Sequence, residues 1–207
     1  MRIAREGWPW IALAWAIELL LIAFFWPAAI AWLLIASWVI AFFRDPVREG
    51  PRGEQLVIAP ADGRVVSVIS IDEPKVLGGS ARRVSIFMNV FNVHVNRYPV
   101  SGTIIFRQYQ RGVFGHAGRE KAALENEHSD VGIECSRGKL LTRQIAGSVA
   151  RRIVTDHALG ATVAQGARMG LIRFGSRVDV FLPGTANILV KEGDVTQSGV
   201  TVIAEWK

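Results

Sequence analysis

Between Trp8 and Phe43 the chain carries one ionisable side chain, Glu18, in a stretch otherwise dominated by Ala, Leu, Ile, Phe and Trp. Residues 9 to 26 and 28 to 43 form two apolar runs joined at Pro27. At about 1.5 Å rise per residue each run makes a helix of roughly 24 to 27 Å, slightly short of a ~30 Å hydrocarbon core. A single helix through both runs would overshoot a bilayer. A cleaved signal peptide has a shorter apolar stretch and a small-residue cleavage site, which is not seen before Arg44. A hairpin turning near Pro27 fits the flanks, because Arg2 and Arg5 precede the first run and Arg44, Arg48 and Arg52 follow the second. Positive residues at both outer ends put those ends on the cytoplasmic side. A charged acid at mid-membrane costs on the order of 3 kcal/mol, so Glu18 is protonated, faces the other helix, or marks a hairpin that dips in without crossing. The expectation is a two-helix membrane anchor over 1–43, and the alternative is a buried helical pair of a soluble fold.

The net charge of +6 belongs to the remainder, since Arg2 and Arg5 are balanced by Glu6 and Glu18. A basic globular part tethered beside an apolar one is drawn to anionic lipid headgroups. Its Lys and Arg are scattered and its aromatic residues sparse, so nucleic acid is not expected as a partner. The single Cys135 excludes an intrachain disulfide, and the four histidines show no ligand spacing, so no metal is expected.

After the polar linker RDPVREGPRGEQ the pattern becomes short alternating stretches rich in Val, Ile and Phe, bounded by Gly, Pro, Asp and Asn. The fold expected is mainly β (α+β), with short helices over 116–128 and 147–154. The opening IAPADGRVVSVIS and the closing ANILVKEGDVTQSGVTVIAEW resemble the strand pairs of barrel-sandwich domains of the lipoyl and biotinyl kind, in which the two ends of the domain pair with each other. No lysine sits at a hairpin tip in the setting those domains modify, which argues against a swinging-arm carrier.

The stretch GLIRFGSRVDVFLP sets Gly175-Ser176 inside a strand pattern, where glycine has no side chain to pack. FGSRV lacks the second flanking glycine of a nucleophile elbow, and the β-rich pattern does not suit that hydrolase fold. A different reaction is open to a strained Gly-Ser peptide. The serine hydroxyl attacks the preceding carbonyl, moving the acyl group from nitrogen to oxygen. Elimination of the ester leaves dehydroalanine, which hydrolyses to a pyruvoyl group on a new N-terminus. That carbonyl forms a Schiff base with an amine substrate and serves as an electron sink, the work a bound cofactor performs elsewhere. The dipeptide alone does not select this site, because Gly79-Ser80 and Gly147-Ser148 are also Gly-Ser pairs and most such pairs are turns.

Taken in order, APADGRV, MNVFNVHVNRYPVSG, ENEH, QIAGSVARRIV and GLIRFGSRVDVFLP make residues 44–207 resemble the short form of the phosphatidylserine decarboxylase proenzymes, and the apolar anchor is similar too. The resemblance implies cleavage between Gly175 and Ser176 into a large β chain, 1–175, and a small α chain, 176–207, whose pyruvoyl end derives from Ser176. It implies His94 as base on the Ser176 hydroxyl and Asp62 as the residue orienting the imidazole, the triad logic applied to the chain's own backbone. Without it, Asp62-Gly63 reads as a hairpin turn and His94 as a half-buried histidine of an alternating strand. His116 reads as a cap or pocket residue, and Asn126 as part of a solvated helix face. Longer members carry a second histidine, tied to the substrate carboxylate or the decarboxylation proton, where this chain has Phe91. That leaves the proton donor open between His94 and water. Phe91, Arg97 and His116 are the candidate substrate contacts, with Arg44 and Arg48 as further cations for a lipid phosphate.

The implied activity is conversion of phosphatidylserine to phosphatidylethanolamine and CO2 at the cytoplasmic face of the cell (inner) membrane. The implied assembly is a heterodimer of the chain's own two pieces, open to pairing further as a dimer of these. The rivals are the same chemistry on an ether-linked archaetidylserine and a non-catalytic membrane-anchored adaptor.

Overall fold

The computed structural model describes residues 2–113, 115, 117, 125–147, 152–173 and 175–207. Contacts group the chain into two units, Met1–Val47 and Arg48–Lys207.

In the first unit, β1 (Arg2–Ile3) leads into α1 (Trp8–Phe24), and α2 (Trp26–Phe42) leads into β2 (Arg44–Asp45). Pro9 and Pro27 each lie in the first turn of a helix, where a missing N–H removes no hydrogen bond. The helices break at Phe25, whose backbone leaves the helical region at φ −155°, ψ 66°. Ile11, Ala14 and Glu18, spaced three and four apart, form the buried stripe of α1, and Ala29 and Ala36 are buried on α2. The Trp32 indole donates to the Ala14 carbonyl at 2.9 Å, tying the two helices together. The rest of the hairpin surface, including Trp8, Leu19, Phe24, Trp26 and Leu34, is exposed. Residues Arg5–Phe24 are long and apolar enough to cross a membrane by length and composition. At the open end β1 and β2 pair antiparallel, Arg2 with Asp45 and Ile3 with Arg44, so the charged flanks meet.

The second unit contains β3 (Leu56–Ile58), β4 (Gly63–Glu73), β5 (Gly79–Met88), β6 (Val95–Arg97), β7 (Gly102–Gln110), β8 (His128–Cys135), β9 (Gly138–Ile145), β10 (Ile153–Thr155), β11 (Thr162–Val163), β12 (Arg168–Ile172), β13 (Ser176–Pro183), β14 (Asn187–Ile188), β15 (Val195–Thr196) and β16 (Val202–Glu205). A curled eight-stranded antiparallel sheet runs β11-β7-β8-β9-β13-β5-β4-β15, with two three-stranded sheets, β10-β12-β6 and β14-β16-β3. The two ends of the domain pair as the sequence predicts, β16 with β3 and β15 with β4. All three sheets feed one core: Val84, Ile86, Val178 and Val180 from the large sheet, Met169 and Ile172 from the first small one, Val57 and Ile203 from the second. This is the mainly β, barrel-sandwich-like architecture read from the sequence, preceded by a helical hairpin.

The face of the large sheet turned away from that core is also buried but carries charge. Arg143 grips Asp130 across the β8–β9 ladder at 2.6 and 2.9 Å, and Arg177 grips Asp179 along β13 at 2.6 and 2.7 Å. Lys75 adds a contact to Asp130 at 3.2 Å. A buried pair of this kind is costly to break, about 3–5 kcal/mol when one partner is removed, because the other charge is left without compensation.

Two helix predictions are corrected where the structure describes them. Residues Ile153–Thr155 are strand β10, paired with β12, because Ile-Val-Thr alternates and closes the small sheet. Asn126 bridges Val113 and His128 opens β8, so no helix runs to residue 128. Glu125 is helical, and residues 116, 118–124 and 148–151 of the two segments lie outside the described residues.

Candidate active site

β13 opens at Ser176, which lies opposite Met88, the last residue of β5. Gly175 ahead of it has φ +52°, the left-handed region in which an L side chain is strained. The strand pattern therefore breaks at the Gly-Ser peptide, and the glycine supplies a backbone turn that other residues resist. Ser176 is fully buried, and its Oγ has no hydrogen-bond partner among the described residues. A buried hydroxyl without a partner costs about 1–3 kcal/mol and calls for a functional account.

His94 is fully buried just before β6. Its carbonyl accepts from the Ile172 N–H at 3.4 Å, and Val95 pairs with Leu171, so His94 lies against the strand that leads through 173–175 to Ser176. The imidazole Nδ1 sits 3.0 Å from the Asn92 carbonyl oxygen. A carbonyl only accepts, so this bond puts the proton on Nδ1 and leaves Nε2 with the lone pair, the form a general base requires.

Asp62 occupies the turn between β3 and β4. Its carboxylate accepts from Arg48 at 2.7 Å and from the Ser198 amide at 2.7 Å. The turn is tied to the strand after His94, because the Arg97 N–H donates to the Pro60 carbonyl at 2.9 Å. The Asp62 carboxylate is thus held by Arg48 and Ser198, while Nδ1 of the His94 imidazole is held by Asn92. Gly63 is required here by close packing, since a methyl in its place would overlap the Phe87 carbonyl. Arg48, read from the sequence as a cation for a phosphate, is instead committed to Asp62, with 9% of its side chain exposed. Arg97 is half-buried and donates to the Gly166 carbonyl at 3.1 Å. Phe91 stands on a tight turn in which Asn89 Oδ1 accepts from its N–H at 2.8 Å, and it is 70% exposed. His116 lies outside the described residues.

Sequence reasoning missed the polar chain beneath the site. The Asn96 amide nitrogen reaches the Met88 sulfur at 3.5 Å, Gln144 donates to Asn96 Oδ1 at 2.8 Å, and Thr155 donates to Gln144 Oε1 at 2.9 Å. Ser129 completes it at 3.0 Å from the Thr155 hydroxyl. Asn96 on β6, Thr155 on β10, Gln144 on β9 and Ser129 on β8 therefore lock the small sheet beside His94 to the large sheet that carries Ser176. The available signal was a polar residue at an inward position of an alternating run, Asn96 in HVNR and Gln144 in TRQI.

The described residues thus include a conformationally set Gly-Ser peptide, a buried Ser176 hydroxyl that makes no hydrogen bond to His94, and a buried His94 imidazole whose Nδ1 is held by a backbone carbonyl. Residues 35–204 match the family model described as phosphatidylserine decarboxylase. A protein of Magnetococcus marinus named phosphatidylserine decarboxylase proenzyme is 45% identical over 208 residues, covering 99% of this chain and 95% of that protein. Proteins given the same name in Nitrosomonas europaea and Symbiobacterium thermophilum are 48% and 44% identical, covering 99% and 97% of this chain and 95% and 94% of theirs. With the match running through the hairpin's second helix, both small sheets and the Gly175-Ser176 strand, the chain belongs to the phosphatidylserine decarboxylase family.

Proposed function

We propose that the chain cuts itself between Gly175 and Ser176 and then decarboxylates the serine headgroup of phosphatidylserine. The observation that carries the reading is the buried Ser176 hydroxyl, without a hydrogen-bond partner among the described residues, directly after a left-handed glycine. In the first step Ser176 Oγ gives its proton to His94 Nε2 and bonds to the Gly175 carbonyl carbon. The peptide C–N bond breaks and its nitrogen takes the proton, leaving an ester. Loss of the Ser176 α-proton and rupture of the Cβ–O bond release Gly175 as the carboxylate end of the large chain. Water then displaces the nitrogen as ammonia, leaving a pyruvoyl end on the small chain. Asp62 acts as a positioning residue through the Pro60–Asp62 turn.

The environment of Ser176 fits such a group, because a ketone lacks the hydroxyl's need for a hydrogen-bond partner in this buried position. A pyruvoyl carbonyl accepts the substrate amine and draws off the electron pair released when the carboxylate leaves as CO2. His94, with Nε2 basic and the ring buried, is the group able to hold and return the proton at the headgroup carbon. Phe91 stands where the longer members carry a histidine, and it has no proton to give. Phe91, half-buried Arg97 and His116 remain the proposed substrate contacts.

The small chain, 176–207, would stay bound without its covalent link. It includes β13, paired along eight residues with β5 and flanked on its other side by β9, and it adds β15 to β4 and β16 to β3. The large and small chains thus form a heterodimer. The apolar hairpin would anchor the large chain in the bilayer where the substrate lies, and its arginine-bearing ends support a cytoplasmic side of the cell membrane for the domain.

Intact-mass analysis of the purified protein tests the reading. Two chains split at 175/176, with the small one blocked to Edman degradation and trapped by borohydride together with a serine lipid, are expected. A single chain of 22.8 kDa would overturn it in favour of a non-catalytic adaptor.

A further inference from the structure

The β9–β13 ladder sets Arg177 opposite Ile145, and the β8–β9 ladder sets His128 opposite Ile145. Extended by two residues, the same registers bring Asn126, Gly147 and Gly175 into one row across three neighbouring strands. At Gly175 the backbone leaves the ladder with φ +52°, and its carbonyl oxygen turns onto Gly147 so closely that a methyl on Gly147 would overlap it. The added methyl would also stand 3.5 Å from the Ala117 Cβ.

Asn126 fixes the far side of this row. The side chain, 2% exposed, donates from Nδ2 to the Ala146 carbonyl at 2.7 Å and to the Gly115 carbonyl at 2.8 Å, and its Oδ1 accepts from the Gly115 N–H at 3.1 Å. The Ala146 N–H donates to the Glu127 carbonyl at 2.9 Å, so both backbone polar groups of the residue before Gly147 are held by Asn126 and Glu127. The reading of Asn126 as a solvated helix face is thereby corrected: the side chain is an interior clamp with its hydrogen-bonding capacity spent on backbone.

We propose that Asn126 and Gly147 are positioning residues for self-processing. They form a cradle in which the bare Cα of Gly147 supports the Gly175 carbonyl and holds its carbon for attack by Ser176. The inference rests on the cleavage reading above. Glycine at 147 is needed because any side chain lifts the carbonyl. Asparagine at 126 is needed because only an amide both donates to two carbonyls and accepts from an N–H in that space.

The full chain is purified in detergent as wild type, Gly147→Ala and Asn126→Asp, and processing is followed by denaturing gel and intact mass. A displacement of about 1 Å in a reacting group slows a positioned reaction by ~100-fold, and both variants are expected to be processed at least that much more slowly while melting cooperatively. Hydroxylamine, which cuts esters, reports whether the acyl shift has taken place, a step that general loosening of the fold would not single out. It is expected to release no small chain from either variant during the wild-type processing time. A folded variant processed at the wild-type rate overturns the cradle. So does an unprocessed variant that hydroxylamine splits at that rate, because the carbonyl was then already placed for attack. Should Gly147→Ala fail to fold, the isosteric Asn126→Asp decides. A wild-type chain that is not cut at 175/176 sinks the processing reading itself, whereas a normally cut wild type with normally cut variants sinks the cradle alone.

Discussion

Gly79-Ser80 and Gly175-Ser176 are the same dipeptide at the starts of two adjacent antiparallel strands, and the structure treats them oppositely. Gly79 opens β5 in extended backbone with open space around it, the left-handed turn having been made one residue earlier at Gly78, and Ser80 is exposed. Gly175 itself takes the left-handed turn, its carbonyl is pressed against Gly147, and Ser176 is buried with Oγ lacking a partner among the described residues. On the processing reading proposed above, conformation and desolvation together make this peptide bond breakable. A hydroxyl in water stays hydrogen-bonded to solvent, whereas a buried one beside a fixed carbonyl is held for attack without that competition.

The largest expected effect is therefore all-or-none and asymmetric. Ser176→Ala should leave one uncut chain without decarboxylase activity. Ser80→Ala should be cut and active like wild type, because its side chain faces solvent. Intact mass checks both, and a cut Ser176→Ala chain would remove the basis of the comparison. Next in size is His94→Ala, which keeps the hydroxyl and removes the proposed base. A general base contributes ~10²–10⁴-fold, so processing should slow by that order, measured as the half-time for appearance of the small chain. Processing of His94→Ala at the normal rate would show that Ser176 is activated by something else.

The two glycines sharpen the contrast at lower energy. Gly175→Ala meets no atom of the described residues within 4 Å, so its penalty is the left-handed backbone, about 1–2 kcal/mol. Gly79→Ala also meets open space, but in extended backbone, and should be neutral or raise stability by about 0.4–1 kcal/mol through the unfolded chain. Denaturant unfolding of each substitution, made on an uncut Ser176→Ala background, separates stability from processing. Equal effects at the two sites would mean that the left-handed backbone at 175 does not penalise an L side chain.

These contrasts also show which parts of the molecule were legible beforehand. The hairpin was readable because apolar side chains with one acid and a central proline leave few other folds, and strand pairing between the domain's ends was readable from alternation and turn residues. Ser176, His94 and Asp62 were singled out by an ordered set of motifs, since locally each resembled a turn or an ordinary half-buried residue. The Asn126 clamp was misread because Glu125 and Glu127 flank it and suggest a wet helix face. Its partners, Gly115 and Ala146, lie 11 and 20 residues away, and no local pattern encodes such pairings. Asn96 and Gln144, 48 residues apart, were missed for the same reason. Gln144→Leu should leave Asn96 Oδ1 without its donor and the Thr155 hydroxyl with Ser129 alone, and cost about 1–3 kcal/mol. It should also slow processing by loosening the small sheet beside His94, whereas an equal loss of stability with unchanged processing would show that the network serves the core alone.

The smallest effect separates two histidines built on one local device. His128 places Nδ1 2.8 Å from the Asn126 carbonyl, as His94 does with Asn92, two residues back in each case. Burial pushes the His128 pKa below its ordinary 6.5, with Arg143 and Lys75 adding to the shift and the Asn126 carbonyl and Asp130 opposing it. The folded state therefore binds its proton less readily than the unfolded chain. Stability from this group is fully present above pH 6.5 and is lost as the pH falls through that value toward the depressed folded pKa. Uncut Ser176→Ala protein should melt at lower temperature as the pH drops from 7 to 5, and His128→Asn should flatten part of that slope. A slope unchanged by His128→Asn would assign the pH dependence to other groups and leave His128 a neutral packing residue, distinct from His94 in chemistry as well as in place.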